Sequence, residues 1–133
     1  MRASNHGELG LIVLSSCKEL GRLVDERILQ LRAEEDDDKS YLVPIEEVRF
    51  SNGEGKIKLL DSVRGKDIYI LCDVGNYSCE YTMFGRNHCM GPDEHFQDIK
   101  RVLSAIGGKA RRISVIMPML YEGRQHNRTA RES

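Results

Sequence analysis

The chain has 133 residues, the length of one domain. Its 40% hydrophobic content can build a core, and 31% charge fits the surface of a folded chain. A formal net charge of -1 supplies no global field for nucleic acid or anionic membrane, so any anion site must be local.

No apolar run approaches the roughly 20 residues of a membrane helix. The early stretch "LGLIVL" is short and lacks the basic flank of a signal peptide. A cytoplasmic protein with no membrane or nucleic-acid partner is the simplest expectation. Cys17, Cys72, Cys79 and Cys89 form no CxxC pair. Cys17 and Cys72 follow strand-like runs and read as reduced, packed thiols. Cys79, His88 and Cys89 match no zinc spacing, and two of the three are adjacent.

In chain order, residues 9–15 predict a buried strand: short, continuous and β-branched. The segment "KELGRLVDERILQLRAEE" predicts an amphipathic helix, with Leu20, Leu23, Val24, Ile28 and Leu31 at helical spacing. Glu34 to Asp38 predict a solvated acidic loop. "YLVPIEEVRF" is extended, with Pro44 at an edge or bend. "SNGEG" marks a hairpin turn near residues 48–60, followed by a strand with Ile57 and Leu59 on one side. "DIYILC" predicts another buried strand. Asp73 to Asp93 has few aliphatics, with room for a short helix around Cys79 to Phe84. A second helix begins at Pro92, where Asp93 and Glu94 favour its positive end. Phe96, Ile99, Leu103 and Ile106 form its predicted inward stripe, and Gly107 and Gly108 end it. "RRISVIMP" is the last strand, with Arg111 and Arg112 at the end away from ligands.

This alternation predicts an α/β fold with an open, mostly parallel sheet flanked by helices. Ligands then sit beyond the carboxyl ends of the strands, which selects the loops after Cys72 and after Pro118. The second loop carries Arg124-Gln125-His126-Asn127-Arg128. Arginine forks suit phosphate oxygens, and Gln125 and His126 add hydrogen-bonding groups; a solvated basic tail is the alternative. The turn Phe50-Ser51-Asn52-Gly53-Glu54 is first a hairpin turn. An aromatic beside Asn and Glu could also stack on and bond a purine. Walker and GxGxxG loops are absent.

Together, "RFSNGEGKIKLLDSVRGKDIYIL" and "RRISVIMPMLYEGRQHNRTARES" resemble the N-terminal half of the ribose-phosphate pyrophosphokinases. The resemblance covers Val48 to Ser133 well and the first strand and helix more loosely. It implies a type I phosphoribosyltransferase-like domain, spanning 1–133, of a two-domain enzyme. That enzyme uses Mg2+ and ATP to transfer the β,γ-diphosphate to ribose 5-phosphate. It also implies a homo-oligomer whose ATP site is shared between subunits. By resemblance, Phe50, Asn52, Gly53 and Glu54 hold the adenine, while Arg124, Gln125 and His126 contact ATP from the other subunit. Asn52 stands where the pattern has aspartate, His126 follows Arg-Gln in place of the usual aspartate, and Asp73 to Asp93 is longer than its counterpart. The family's magnesium-binding histidine, catalytic loop and ribose-phosphate loop follow this region. An inactive fragment is therefore expected, with a non-catalytic synthetase-associated scaffold as the alternative. A generic nucleotide-binding domain would explain the fold but not the paired motifs.

Overall fold

The computed structural model describes residues 6–33 and 39–133. Its centre is a parallel sheet of β1 (Leu9–Val13), β4 (Asp67–Leu71) and β7 (Arg112–Ile116), in the order β1-β4-β7. Leu9 pairs with Asp67 and Asp67 with Arg112; at the other end Val13 pairs with Leu71 and Leu71 with Ile116. β4 lies between two strands and is covered on both faces, so its sequence is continuously apolar. The chain at Tyr41–Val43 extends the sheet beyond β1. Leu11 donates to the Tyr41 carbonyl at 2.9 Å, and Val43 donates to the Leu11 carbonyl at 2.8 Å.

Two antiparallel hairpins and two helices complete the fold. β2 (Ile45–Arg49) pairs with β3 (Gly55–Leu59), and β5 (Glu80–Met83) pairs with β6 (Arg86–Cys89). α1 spans Lys18–Leu31, entered through a one-turn 3-10 helix at Ser15–Cys17, and α2 spans Pro92–Ile106. The main core joins Ile12, Ile68, Ile70, Ile99, Val102 and Ile106, with Ile57 and Leu59 of β3 packed into it. A smaller core of Leu11, Cys17 and Leu71 lies under Val24 and Ile28 of α1. Both expected helices, the expected hairpin and the parallel sheet are present. The acidic loop expected at Glu34 to Asp38 lies outside the described residues.

Three expectations are corrected. First, α1 does not bury its leucines: Leu20, Leu23 and Leu31 are exposed, while Gly21 and Asp25 are buried. Gly21 faces β1 so closely that a Cβ there would come 2.4 Å from a Val13 methyl. Asp25 accepts from the Ser40 hydroxyl at 2.7 Å and the Tyr41 amide at 2.8 Å, which fixes the edge segment. Close approach and a polar anchor thus set the rotation of the helix. Second, α2 buries Val102, where Leu103 was expected, together with His95 and Asp98; Leu103 is 39% exposed. Its C-terminus behaves as predicted, with Gly107 left-handed and its amide bonded to the Leu103 carbonyl.

Third, the short helix envisaged around Cys79 to Phe84 is a β-hairpin. The two residues between β5 and β6, Phe84 and Gly85, have φ of 48° and 78°. Two successive left-handed residues form the tight connection whose twist suits antiparallel strands. Glu80, Thr82 and their neighbours alternate exposed and half-buried, the period of a strand.

Candidate functional site

The carboxyl ends of the parallel strands open onto a cleft of about 370 Å³, lined by Ser15 to Leu20, Asp73, Asn76 and Pro118. The expected loop after Cys72 contributes Asp73 and Asn76 to it; of the other expected side only Pro118, before the loop, lines it. A buried polar cluster forms its floor. Ser16 accepts from the Asp73 amide at 3.0 Å, Asn76 donates to the Ser16 carbonyl at 3.0 Å, and His95 Nε2 bonds the Asn76 carbonyl at 2.6 Å. That last bond requires a proton on Nε2. Ser15 closes one side by bonding Glu47 through both its amide and its hydroxyl.

The cleft's chemistry is not that of a nucleophile or a phosphate cradle. Burial pushes the Cys17 thiol up to about 11, with Asp73 and Cys79 adding to the shift. Burial pushes Cys72 up to about 12. Both are neutral at physiological pH and so unreactive. Glu19 and Asp73 line the cleft with Lys18, and Glu47 bonds Ser15 at its side, a poor surface for polyphosphate. Arg22 is paired with Glu19 and Glu26, both at 2.6 Å. Among the described residues no group of three or more His, Cys, Asp and Glu could hold a metal ion. His88 bonds Glu94 at 2.8 Å and Cys89 bonds Glu80, so they do not converge on Cys79.

The residues singled out in sequence fall into two clusters. In the first, Phe50, Asn52, Gly53 and Glu54 form the turn joining β2 to β3. The Phe50 amide bonds the Glu54 carbonyl at 2.7 Å, and the Gly53 amide bonds the Phe50 carbonyl at 2.9 Å. Gly53 has φ of 95°, a conformation that favours glycine. The Asn52 side-chain oxygen accepts from the Glu54 amide at 3.1 Å. Phe50 is 48% exposed at the tip.

The base of this turn rests on residues that sequence reading missed. Arg49 donates to the Gly53 carbonyl at 3.0 Å and to Asp98 of α2 at 2.6 Å, and it lies 5.3 Å from the Tyr81 ring centroid. Asp98 also pairs with Arg101 at 2.6 Å. Tyr81 donates to Glu94 at 2.7 Å. Burial pushes the Glu94 carboxyl upward, but bonds from His88, Tyr81 and Gly91 outweigh it and hold the group below its ordinary value. The only sequence cue was position: Arg49 ends a strand next to the turn, and Asp98 and Arg101 stand one helical turn apart.

In the second cluster, Arg124, Gln125 and His126 follow β7 on an exposed turn. Tyr121 anchors it: its ring stacks on Phe96 at 4.0 Å, and its hydroxyl donates to Asp93 at 2.6 Å. That bond pushes the Tyr121 hydroxyl up to about 12. The Gln125 amide bonds the Glu122 carbonyl at 2.9 Å, and His126 Nδ1 meets the Arg124 carbonyl at 3.1 Å. Among the described residues the Arg124 guanidinium has no carboxylate partner, unlike Arg22, Arg49, Arg101 and Arg112. Among the described residues no hydrogen bond or ring contact joins the two clusters. Arg112 and Asp67, at the amino ends of the strands, form a two-bond pair at 2.9 and 2.7 Å, as expected of a structural position.

A parallel sheet with its ligand-side loops at the carboxyl ends of the strands defines an open α/β domain. A family model described as the N-terminal domain of ribose phosphate pyrophosphokinase matches residues 9–133, and the chain belongs to that family. The domain thus corresponds to the N-terminal half of the enzyme ribose-phosphate pyrophosphokinase. No curated protein matches the chain.

Proposed function

We propose that this domain supplies part of an ATP site that is completed between subunits of a cytoplasmic homo-oligomer. In this reading Phe50 flanks the adenine, while Asn52 and Glu54 bond its polar edge from the turn that Gly53 shapes. Arg124 takes phosphate oxygens of an ATP held by another subunit, with Gln125 and His126 beside it. The reaction moves the β,γ-diphosphate of ATP to the C1 hydroxyl of ribose 5-phosphate. Protein catalysis of such transfers consists mainly of positioning charge around the phosphates. The Mg2+ that the family uses is assigned to ATP itself and to the enzyme's second domain on the family resemblance.

The supporting observation is the state of Arg124. It stands beyond the carboxyl end of β7, tethered through Tyr121, with its guanidinium exposed and unpaired by any described carboxylate. Arg124→Ala in the enzyme carrying this domain is expected to weaken ATP use about ten- to a hundredfold, the scale of a lost charged contact. An unchanged ATP dependence would sink the assignment. Calorimetric titration of this domain alone with MgATP is expected to show weak or undetectable binding. Tight binding would show that one protomer holds a complete site.

A further inference from the structure

The hairpin that sequence analysis did not anticipate meets the Phe50–Glu54 turn tip to tip. The Phe84 amide donates to the Ser51 carbonyl at 3.0 Å. A Cβ on Gly53 would lie 3.1 Å from the Tyr81 hydroxyl and 3.3 Å from the Met83 sulfur, so the turn is seated against β5. Arg49 ties the two hairpins from below, bonding the Gly53 carbonyl while lying over the Tyr81 ring.

Phe84 itself is anomalous. Its φ of 48° is left-handed, where asparagine or glycine is favoured and a bulky aromatic is not. Its side chain is 75% exposed, so packing within the domain does not offset that conformational cost. A residue disfavoured by both backbone and burial, hydrogen-bonded to a turn assigned to a nucleobase, has a contact elsewhere as its simplest explanation.

We propose that Phe84 is a second aromatic contact for the ATP base, so that the two hairpins form one recognition surface. Tyr81 and Arg49 are its positioning residues. Phe50 and Phe84 stand on adjacent tips, and a purine offers a flat face to each of two aromatic side chains. This inference rests on the assignment of the Phe50–Glu54 turn to adenine.

The test uses the enzyme carrying this domain, with MgATP as the probe. Phe84→Asn places a residue suited to left-handed backbone at the turn while removing the ring. Its KM for ATP is expected to rise about fivefold or more, the scale of a lost base stack. Its thermal midpoint should hold or rise by a few degrees, roughly. Phe84→Tyr should restore the KM. Tyr81→Phe should raise the KM by a smaller factor with kcat retained. A wild-type KM in Phe84→Asn alongside a raised KM in Phe50→Ala would overturn this inference alone. Wild-type values in both variants would also bring down the adenine assignment. A lowered thermal midpoint in Phe84→Asn would make the ring part of the fold and overturn the proposal.

Discussion

The Phe50–Glu54 turn and the Arg124–His126 segment are assigned to one ATP site, yet the fold holds them in opposite ways. The turn closes a β-hairpin, is buttressed by a second hairpin, and rests on an Arg49–Asp98 pair whose side chains are only 12% and 7% exposed. The segment after β7 is anchored at Tyr121, and beyond it the described bonds are local: Arg128 to the Ala130 carbonyl, Thr129 to Glu132, Ser133 to Gln125. Base recognition needs fixed edges, so rigidity suits the turn. A phosphate contact is dominated by charge and tolerates a segment that orders against its ligand, at the cost of the entropy of ordering.

The strongest way to break the comparison is Arg49→Met. It strands Asp98 with one partner and frees the Gly53 carbonyl. Asp98 keeps Arg101, so the loss is that of one charged hydrogen-bond partner, about 1.5–3 kcal/mol, and urea denaturation should show a lowered midpoint. A shift below about 0.5 kcal/mol, the range of ordinary surface changes, would mean that the turn is not held from beneath.

Arg124→Ala should do the reverse. Stability should stay within about 0.5 kcal/mol of the parent, because the side chain is exposed, while ATP use falls as proposed above. A destabilised Arg124→Ala domain would erase the contrast between the two regions.

Tyr121 tests how far the second region depends on its anchor. Tyr121→Phe keeps the stack on Phe96 and loses the bond to Asp93; Tyr121→Ala loses both. Roughly twofold and fivefold rises in KM for ATP are expected, through misplacement of Arg124. Equal values for both variants would assign the anchor to the hydroxyl alone.

The smallest effect lies at the end of the sheet away from ligands. Hydrogen bonds from Arg112 hold the Asp67 carboxyl below its ordinary value. A depressed carboxyl contributes stability that is fully present above its unfolded pKa, about 3.9, and is lost as pH falls through the folded value. Denaturation midpoints should therefore fall below about pH 4, and Arg112→Ala should flatten that fall. An unaltered pH profile in Arg112→Ala would remove Asp67 from the account, leaving Glu94, also depressed, as the group to test.

Legibility in the sequence followed the kind of signal each residue carries. β1, β4 and α2 were readable because apolar runs and helix punctuation are local. The turn at Asn52-Gly53 was readable for the same reason, and its motif pointed to the family. Phe84-Gly85 was not read as a turn, because phenylalanine there conflicts with the residue type such a connection favours. The stripe of α1 was misread because leucines at helical spacing outweighed Gly21 and Asp25, whose roles depend on a Val13 methyl and the Tyr41 amide. Arg49 looked like any strand-end charge until Asp98 was seen opposite it.

By itself the sequence determined the α/β class, the order of the two helices and the main-sheet strands, the family motifs and the absence of a global basic field. Those follow from periodicity, composition and local residue types. Tertiary structure alone decided which face of each helix is buried, that residues 80–89 form a hairpin, and that Arg49 joins the Gly53 carbonyl, Tyr81 and Asp98. Each of these is a contact between residues far apart in the chain. Its energy comes from burial and from polar groups satisfied across that separation, and no local pattern records where such partners will meet.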